Sequence, residues 1–336
     1  MSRAYLAFTD RGMALAERLA EALPGSVNRC GKGGVSLAEW TVQQFAESDA
    51  LIFVGAAGIA VRAIAPCCRS KAEDPAVVVL DERGQFAIPL LSGHLGGANA
   101  LARRLAAVCG AIPVITTATD VNGVFAVDEW AVRQGCTVRE VERIKRVSGK
   151  LLAGGTAAYW SDVPVAGALP AGIAAAQTQK EADFALTLFP RGDALHLVPE
   201  IGILGIGCRR GTTAEQLEAV FSEFCAGSGL APEGICGAAS IDLKQDEDGL
   251  RQFCETHGWN IRFYTAEQLR EVAGQFTPSS FVQSVTGVDN VCERAAVKAA
   301  GGELCLKKYA ASGVTFALAQ KPYYPDWRWQ DAREAE

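Results

Sequence analysis

The sequence predicts an α/β protein: two Rossmann-like α/β domains with mostly parallel sheets, joined by a small middle domain. Three observations predict it. Short apolar runs alternate with amphipathic segments at both ends of the chain, the pattern of strands linked by crossover helices. Glycine clusters punctuate the junctions, as in Gly55-Ala56-Ala57-Gly58, Gly93-His94-Leu95-Gly96-Gly97 and Gly205-Ile206-Gly207. A chain of 336 residues, 49% of them apolar, also exceeds one ordinary core. The expected division is an N-terminal domain over 1–127, a middle domain over 128–200, a C-terminal domain over 201–323 and a tail over 324–336.

In chain order, Ala4–Phe8 reads as a buried strand, and Ala14–Leu23 and Leu37–Phe45 have helical spacing. Asp49–Gly55 is a strand running into a glycine turn, and Ile59–Ala65 a short helix stopped by Pro66. Arg62, placed in the first turns of that helix, could face a carboxylate. Ala76–Leu80 and Gln85–Leu91 flank the turn Asp81-Glu82-Arg83-Gly84 and predict a hairpin. The apolar run then ends in Ser92-Gly93-His94-Leu95-Gly96-Gly97-Ala98-Asn99. Leu95, Ala98, Leu101, Ala102, Leu105 and Val108 recur at helical spacing, so a helix is expected over 95–109, closed by Gly110.

This strand–glycine–helix stretch is the first candidate site. Gly93, Gly96 and Gly97 would let a ligand approach the backbone, and the first helix amides would receive an anion. His94 can move a proton near neutral pH, and Ser92 and Asn99 lie in the same turn. The next run, Pro113–Ala118, reads as a strand whose end offers Thr116, Thr117, Thr119 and Asp120, where open α/β sheets place ligands. The plain alternatives are a tight turn with a half-exposed histidine, a surface arginine, and β-propensity followed by an Asx turn.

From Asp128 the texture changes. Val138–Ser148 predicts a charged helix, Pro164–Gln177 is rich in Ala, Gly and Pro, and Phe184–Leu188 and Leu195–Val198 predict paired strands. His196 alternates with leucines and reads as a strand residue. The last domain opens with the strand Ile201–Gly207 and the loop Cys208–Gly211. Thr212 with Glu215 suggests a capping box for the helix Ala214–Phe224. Arg209 and Arg210 at that helix start suggest carboxylate recognition; the alternative is a solvated basic turn. Ala238–Leu243 leads to Lys244, and helix, strand and helix follow over Gly249–His257, Asn260–Phe263 and Ala266–Val272. Residues 279–288 read as a polar connection containing Thr286, Asn290 as a cap for a helix over 291–300, and Leu304–Lys308 and Val314–Leu318 as closing strands. Gly211 comes one residue too late for a dinucleotide fingerprint, and neither the following acid nor a phosphate-loop lysine pattern is present, which disfavours a nucleotide enzyme.

The net charge of −6, with no basic block, disfavours nucleic acid and anionic membranes as partners. The most apolar run, Leu51–Val61, falls short of the ~20 residues that span a bilayer, and Tyr5–Phe8 is too short for a signal peptide. Eleven scattered cysteines without Cys-x-x-Cys fit reduced thiols in cytoplasm. Three histidines far apart in sequence argue against a metal held by the protein.

Two blocks carry a specific resemblance. The first joins Gly58-Ile59-Ala60-Val61-Arg62-Ala63-Ile64-Ala65-Pro66, Asp74-Pro75-Ala76-Val77-Val78-Val79, Leu90-Leu91-Ser92-Gly93-His94-Leu95-Gly96-Gly97-Ala98-Asn99 and Pro113–Asp120. The second joins Gly205–Gly211, with its Gly207, Ser240-Ile241-Asp242-Leu243-Lys244 and Thr286-Gly287-Val288. Together they resemble the cobalt-precorrin-5A hydrolase (CbiG) family of anaerobic cobalamin biosynthesis, over almost the whole chain. The resemblance implies opening of a δ-lactone on a cobalt-bearing tetrapyrrole, release of acetaldehyde, and cobalt-precorrin-5B as product. It implies no cofactor, because the cobalt is carried by the substrate, and makes neighbouring cobalamin-pathway enzymes candidate partners. On such a substrate His94 is the expected base, with Ser92 and Asp120 as further catalytic candidates; Asp120 would orient His94 or replace it. The amides near Gly96 and Gly97 would hold the oxyanion. Arg62, Gly93, Asn99, Thr116, Thr117, Gly207, Arg209, Arg210, Lys244 and Thr286 are the expected substrate contacts. The alternative is a non-catalytic protein that binds and transfers corrinoid intermediates.

Overall fold

The computed structural model describes residues 1–70 and 73–330. Contacts divide the chain into two units. The first holds residues 1–132 together with 151–153, 329 and 330; the second holds 133–150 and 154–328.

The first unit contains β1 (Arg3–Ala7), α1 (Asp10–Ala22), β2 (Ser26–Arg29), α2 (Leu37–Glu47), β3 (Ala50–Val54), α3 (Ala57–Ile64), β4 (Ala76–Leu80), β5 (Phe86–Leu91), α4 (Ala98–Cys109), β6 (Ile112–Pro113) and α5 (Ala118–Val121). It closes with α6 (Val127–Arg133). Its six strands run in the order β2-β1-β3-β4-β5-β6. The strands β1, β3 and β4 are buried on both faces, so they read as continuous apolar runs. Tyr5, Ile52 and Val78 pack under Leu15, Leu19, Leu101 and Leu105 on one face, while Leu6, Phe53 and Val79 pack under Trp40, Ala60 and Ile64 on the other. The predicted hairpin is present: β5 lies antiparallel on β4, and β6 follows β5 in parallel. The carboxyl ends of β5 and β6 therefore lie at the opposite edge of the sheet from those of β1, β3 and β4.

Two expectations change here. Strand β2 is not legible in sequence, because Ser-Val-Asn-Arg has neither an apolar run nor alternation. The expected strand Pro113–Ala118 contributes only β6. Pro113 has no N–H to donate, and after the Val114 N–H meets Ala87 O the chain leaves the sheet and coils into α5.

The second unit begins with β7 (Cys136–Val138), α7 (Ile144–Leu152), β8 (Ala157–Ser161), β9 (Ile173–Ala175), β10 (Phe184–Leu186) and β11 (Leu195–Pro199), in the sheet order β7-β11-β10-β8-β9. The expected helix Val138–Ser148 starts later, since Cys136–Val138 pairs with β11. Strand β9 has only three residues, and β8, half-buried after Gly154-Gly155, has neither alternation nor an aliphatic run, so neither is legible in sequence. Strands β10 and β11 pair as expected, in parallel.

The chain continues through β12 (Gly202–Cys208), α8 (Ala214–Ser228), β13 (Ile235–Ile241), α9 (Asp248–Thr256), β14 (Ile261–Tyr264), α10 (Ala266–Arg270), α11 (Ser280–Thr286), α12 (Cys292–Ala300), β15 (Glu303–Ala311) and β16 (Val314–Gln320). The sheet order is β14-β13-β12-β16-β15, parallel over the first three strands and antiparallel over the rest. Gly205 lets α12 lie against β12: a Cβ there would stand 1.8 Å from the Cys292 carbonyl oxygen. The capping box of α8 is Thr213 with Gln216, one residue after the expected pair, because the Thr212 hydroxyl donates to Arg209 O instead. Residues 280–286, expected as a connection, form α11, capped by Ser279. Asn290 caps α12 as expected, accepting from the Glu293 N–H. All eleven cysteines are free. Among the described residues no helix is long and apolar enough to cross a membrane. Of the expected tail, 331–336 lie outside the described residues.

Candidate active site

Past the carboxyl ends of β5 and β6 the first unit gathers a histidine, three carboxylates and an arginine. His94 lies in the turn between β5 and α4. Its Nε2 is 2.8 Å from Asp120 Oδ2 on α5, and its Nδ1 is 3.0 Å from Asp128 Oδ1 on α6. Glu129 Oε2 lies 4.0 Å from Nε2. Arg103, reaching over from α4, donates to Asp120 Oδ1 and, at 3.3 Å, to Glu129 Oε1. Asn99 Nδ2 donates to Asp120 Oδ2 at 3.0 Å and to Thr117 Oγ1 at 2.9 Å. Gln330 Nε2 donates to Asp120 Oδ1 at 3.0 Å. The side chains of His94, Asp120 and Asp128 are less than a tenth exposed, and that of Glu129 is 12% exposed.

Electrostatics fix the protonation of this cluster. Burial pulls the His94 pKa down, but hydrogen bonds from both ring nitrogens to Asp120 and Asp128, with the charges of Asp128 and Glu129, outweigh it and push it up to about 10. Both nitrogens then carry protons and donate. For Asp120 burial raises the pKa, and the bonds from His94 and Arg103 overcome this to hold the carboxyl below its ordinary value. Glu129 moves the other way: burial dominates, the Asp120 charge adds to it, and His94 and Arg103 only partly offset it. His94, Asp120 and Glu129 offer ligand atoms within 4.8 Å of one another. Without a bound ion, Arg103 and the imidazolium supply the positive charge that balances these carboxylates.

Several expected roles change with this geometry. His94 is not the neutral imidazole that accepts a proton from water near pH 7, because two carboxylates hold it charged. Ser92 is buried at φ 55° and its hydroxyl donates to Asp74 O, which makes it the anchor of the turn. Asn99 is 1% exposed and steadies Asp120, out of reach of a substrate. The glycines serve the turn's own packing: a Cβ at Gly93 would stand 2.8 Å from Asn99 Oδ1, and one at Gly96 would stand 2.5 Å from Ser92 Cβ. Gly97 takes φ 81°, so α4 starts at Ala98, three residues later than expected. Its first amides are not an anion site, since Gly97, Ala98 and Asn99 donate to the carbonyls of His94, Ser92 and Gly93. The Gly97 amide is therefore no oxyanion donor. Arg62 is exposed near the end of α3, which follows β3 at the sheet's other edge. Thr117 accepts from Asn99, whereas Thr116 is exposed.

The remaining expected contacts belong to the second unit. Gly207 lies in β12, where a Cβ would stand 2.6 Å from Thr315 Oγ1, so its role is cross-strand packing. The Thr286 hydroxyl bonds the carbonyl of Val282 at the end of α11. Lys244 Nζ is held by Glu247 Oε1 at 2.9 Å. Arg209 and Arg210 are exposed. Arg210 lines a cavity of about 670 Å³ whose other walls carry Glu215, Asp246, Glu247 and Asp248. That acidic lining does not suit carboxylate recognition.

Sequence reading found His94 and Asp120 but missed Asp128, Glu129 and Arg103. The signal was present as two adjacent acids at the start of a helix, Asp128-Glu129, but the expected boundary after residue 127 set them apart from His94. Arg103 falls away from the apolar positions of α4, where the sequence alone offers it only solvent.

The first unit is that of a doubly wound α/β protein with a buried acid–base cluster past the carboxyl ends of β5 and β6. Residues 39–120 match the family described as Cobalamin synthesis G N-terminal, and residues 202–319 match Cobalamin synthesis G C-terminus. The cobalt-precorrin-5A hydrolase of Salmonella typhimurium is 37% identical over 344 residues, 94% of this chain and 97% of that protein. The cobalt-precorrin-5A hydrolase of Priestia megaterium is 33% identical, over 83% of this chain and 80% of that protein. Protein CobE of a Sinorhizobium species is 33% identical over 120 residues, 35% of this chain and 78% of that protein. The chain belongs to the cobalamin synthesis G family.

Proposed function

We propose that this protein is a cobalt-precorrin-5A hydrolase of cobalamin biosynthesis, which opens the substrate δ-lactone and releases the two-carbon fragment as acetaldehyde to leave cobalt-precorrin-5B. The observation that carries the reading is the 37% identity to a protein of that name across 94% of this chain. The buried cluster of the first unit supplies what the chemistry needs. Lactone opening needs a group that takes a proton from water and a positive field where the acyl oxygen gains charge. In this cluster Glu129 is the carboxylate with raised proton affinity and the most exposure, so it is the base. Asp120, held low by two cations, is the weaker base and orients His94. The imidazolium of His94 and the guanidinium of Arg103 provide the positive field. Water's oxygen bonds to the lactone carbonyl carbon, the acyl–oxygen bond breaks, and the freed alkoxide oxygen becomes the aldehyde oxygen when the carbon–carbon bond is cut; the bonding electron pair passes into the conjugated macrocycle, which takes up one proton. The cobalt arrives inside the substrate, and the protein adds no cofactor of its own.

The test is anaerobic incubation of the purified protein with the lactone-bearing cobalt substrate. One equivalent of acetaldehyde per macrocycle is the expected result. Substrate recovered with its lactone closed, though bound, would make the protein a carrier of corrinoid intermediates.

A further inference from the structure

The aromatic tail has no place in the chemistry as read so far, yet two of its residues return to the first unit. Trp329 packs edge-on against Phe125 at 5.3 Å between ring centroids, two residues before α6 begins. That contact is purely a packing anchor, since the buried Trp329 Nε1 has no hydrogen-bond acceptor among the described residues. It delivers Gln330 to the cluster, where one Nε2 donates to Asp120 Oδ1 at 3.0 Å and to Glu129 Oε2 at 3.5 Å. These are the two carboxylates that Arg103 also bridges. A neutral amide placed there can only donate, because both partners accept. We propose that Gln330 is a positioning residue of the acid–base cluster, fixing the spacing and proton affinity of Asp120 and Glu129, so that the tail is part of the hydrolytic site. This rests on the function proposed above.

The groups facing Glu129 are His94 from the turn after β5, Arg103 from α4 and Asp120 from α5; Asp128 adjoins it on α6 and faces His94. Against that background Gln330 stabilises the ionised carboxylates. Removing its donor must raise their proton affinity and extend the protonated, inactive form to higher pH.

The experiment uses the full chain carrying Gln330→Met, which keeps length and bulk but loses the amide, and Gln330→Glu, which adds a negative charge. Two quantities are read: the pH profile of single-turnover lactone opening, and the pH titration of the His94 ring by NMR in histidine-labelled protein without substrate. For Gln330→Met the acid limb of the rate profile should move up by about one pH unit, as expected for loss of one hydrogen bond to a charged group. Substrate affinity should stay at the wild-type value. Gln330→Glu should move the limb further. The carboxylate-linked inflection in the His94 titration should move the same way. A merely structural tail would lower the melting temperature and leave both profiles in place, and superimposable profiles overturn the proposal. If the wild type releases no acetaldehyde, the functional reading fails on its own, and the His94 titration still decides whether Gln330 tunes the cluster.

Discussion

At the scale of the residue, His94 shows how a partner's identity decides a side chain's role. Its sequence context, between glycines after an apolar run, marks it as chemical. The same context cannot say whether its partners are water, carbonyl or carboxylate. Asp120 was legible because it ends the next polar run of the chain, Thr116-Thr117-Ala118-Thr119-Asp120, whereas Asp128 and Glu129 come from an element that no local pattern ties to His94. Linkage gives a direct check. The folded-state pKa of His94, about 10, lies above its ordinary 6.5. Its contribution to stability is therefore complete below about 6.5 and is lost as pH rises through about 10. The melting temperature of the wild type should fall across that window, and His94→Gln should flatten the decline; parallel curves for the two proteins would contradict the charged state. A second expectation separates the acids. Asp120→Asn removes the proposed orienting partner and Glu129→Gln the proposed base. Glu129→Gln should slow lactone opening by about 10²–10⁴-fold, the usual cost of a lost general base, while Asp120→Asn should change the pH profile and retain more rate. Single-turnover rates at saturating substrate distinguish them.

At the scale of the element, the turn between β5 and α4 was legible as a turn and misread in purpose. Glycine in sequence signals close approach without saying of what. Here the approaching atoms are Ser92 Cβ, Ser92 O and Asn99 of the chain itself. The strands β1, β3 and β4 were legible because burial on both faces demands unbroken apolar runs. Strands β2, β8 and β9 were not, since a short or half-buried strand gains its place from neighbours that it does not encode. Gly96→Ala would set a methyl 2.5 Å from Ser92 Cβ and 3.3 Å from the Ala76 nitrogen. Such overpacking costs about 1–3 kcal/mol, and chemical denaturation should show it together with a weakened His94–Asp120 contact. Gly205→Ala meets backbone at 1.8 Å, with no flexible side chain to yield. Its loss of stability should reach or pass the upper end of that range, about 3 kcal/mol; a wild-type midpoint would show that α12 does not sit on β12 as described.

At the scale of the whole molecule, the chemistry was legible through the two resembling blocks, and the fold class through alternation, but the tail's contribution was not. No periodicity connects Gln330 with Asp120, 210 residues away. The cluster's charge balance also carries a prediction. With Arg103 and His94 supplying the positive charge, protein dialysed against a chelator should keep its rate of lactone opening. A loss restored by added divalent cation would reassign His94, Asp120 and Glu129 to a metal.

The most direct test of the central claim, that this cluster activates water against the lactone carbonyl, is one turnover in ¹⁸O-labelled water followed by mass spectrometry of the macrocycle. The account predicts one labelled oxygen in the carboxylate freed from the lactone, and formation of that labelled product slowed by about a hundredfold or more in Glu129→Gln. An unlabelled macrocycle, or wild-type labelling rates in Glu129→Gln, would contradict it.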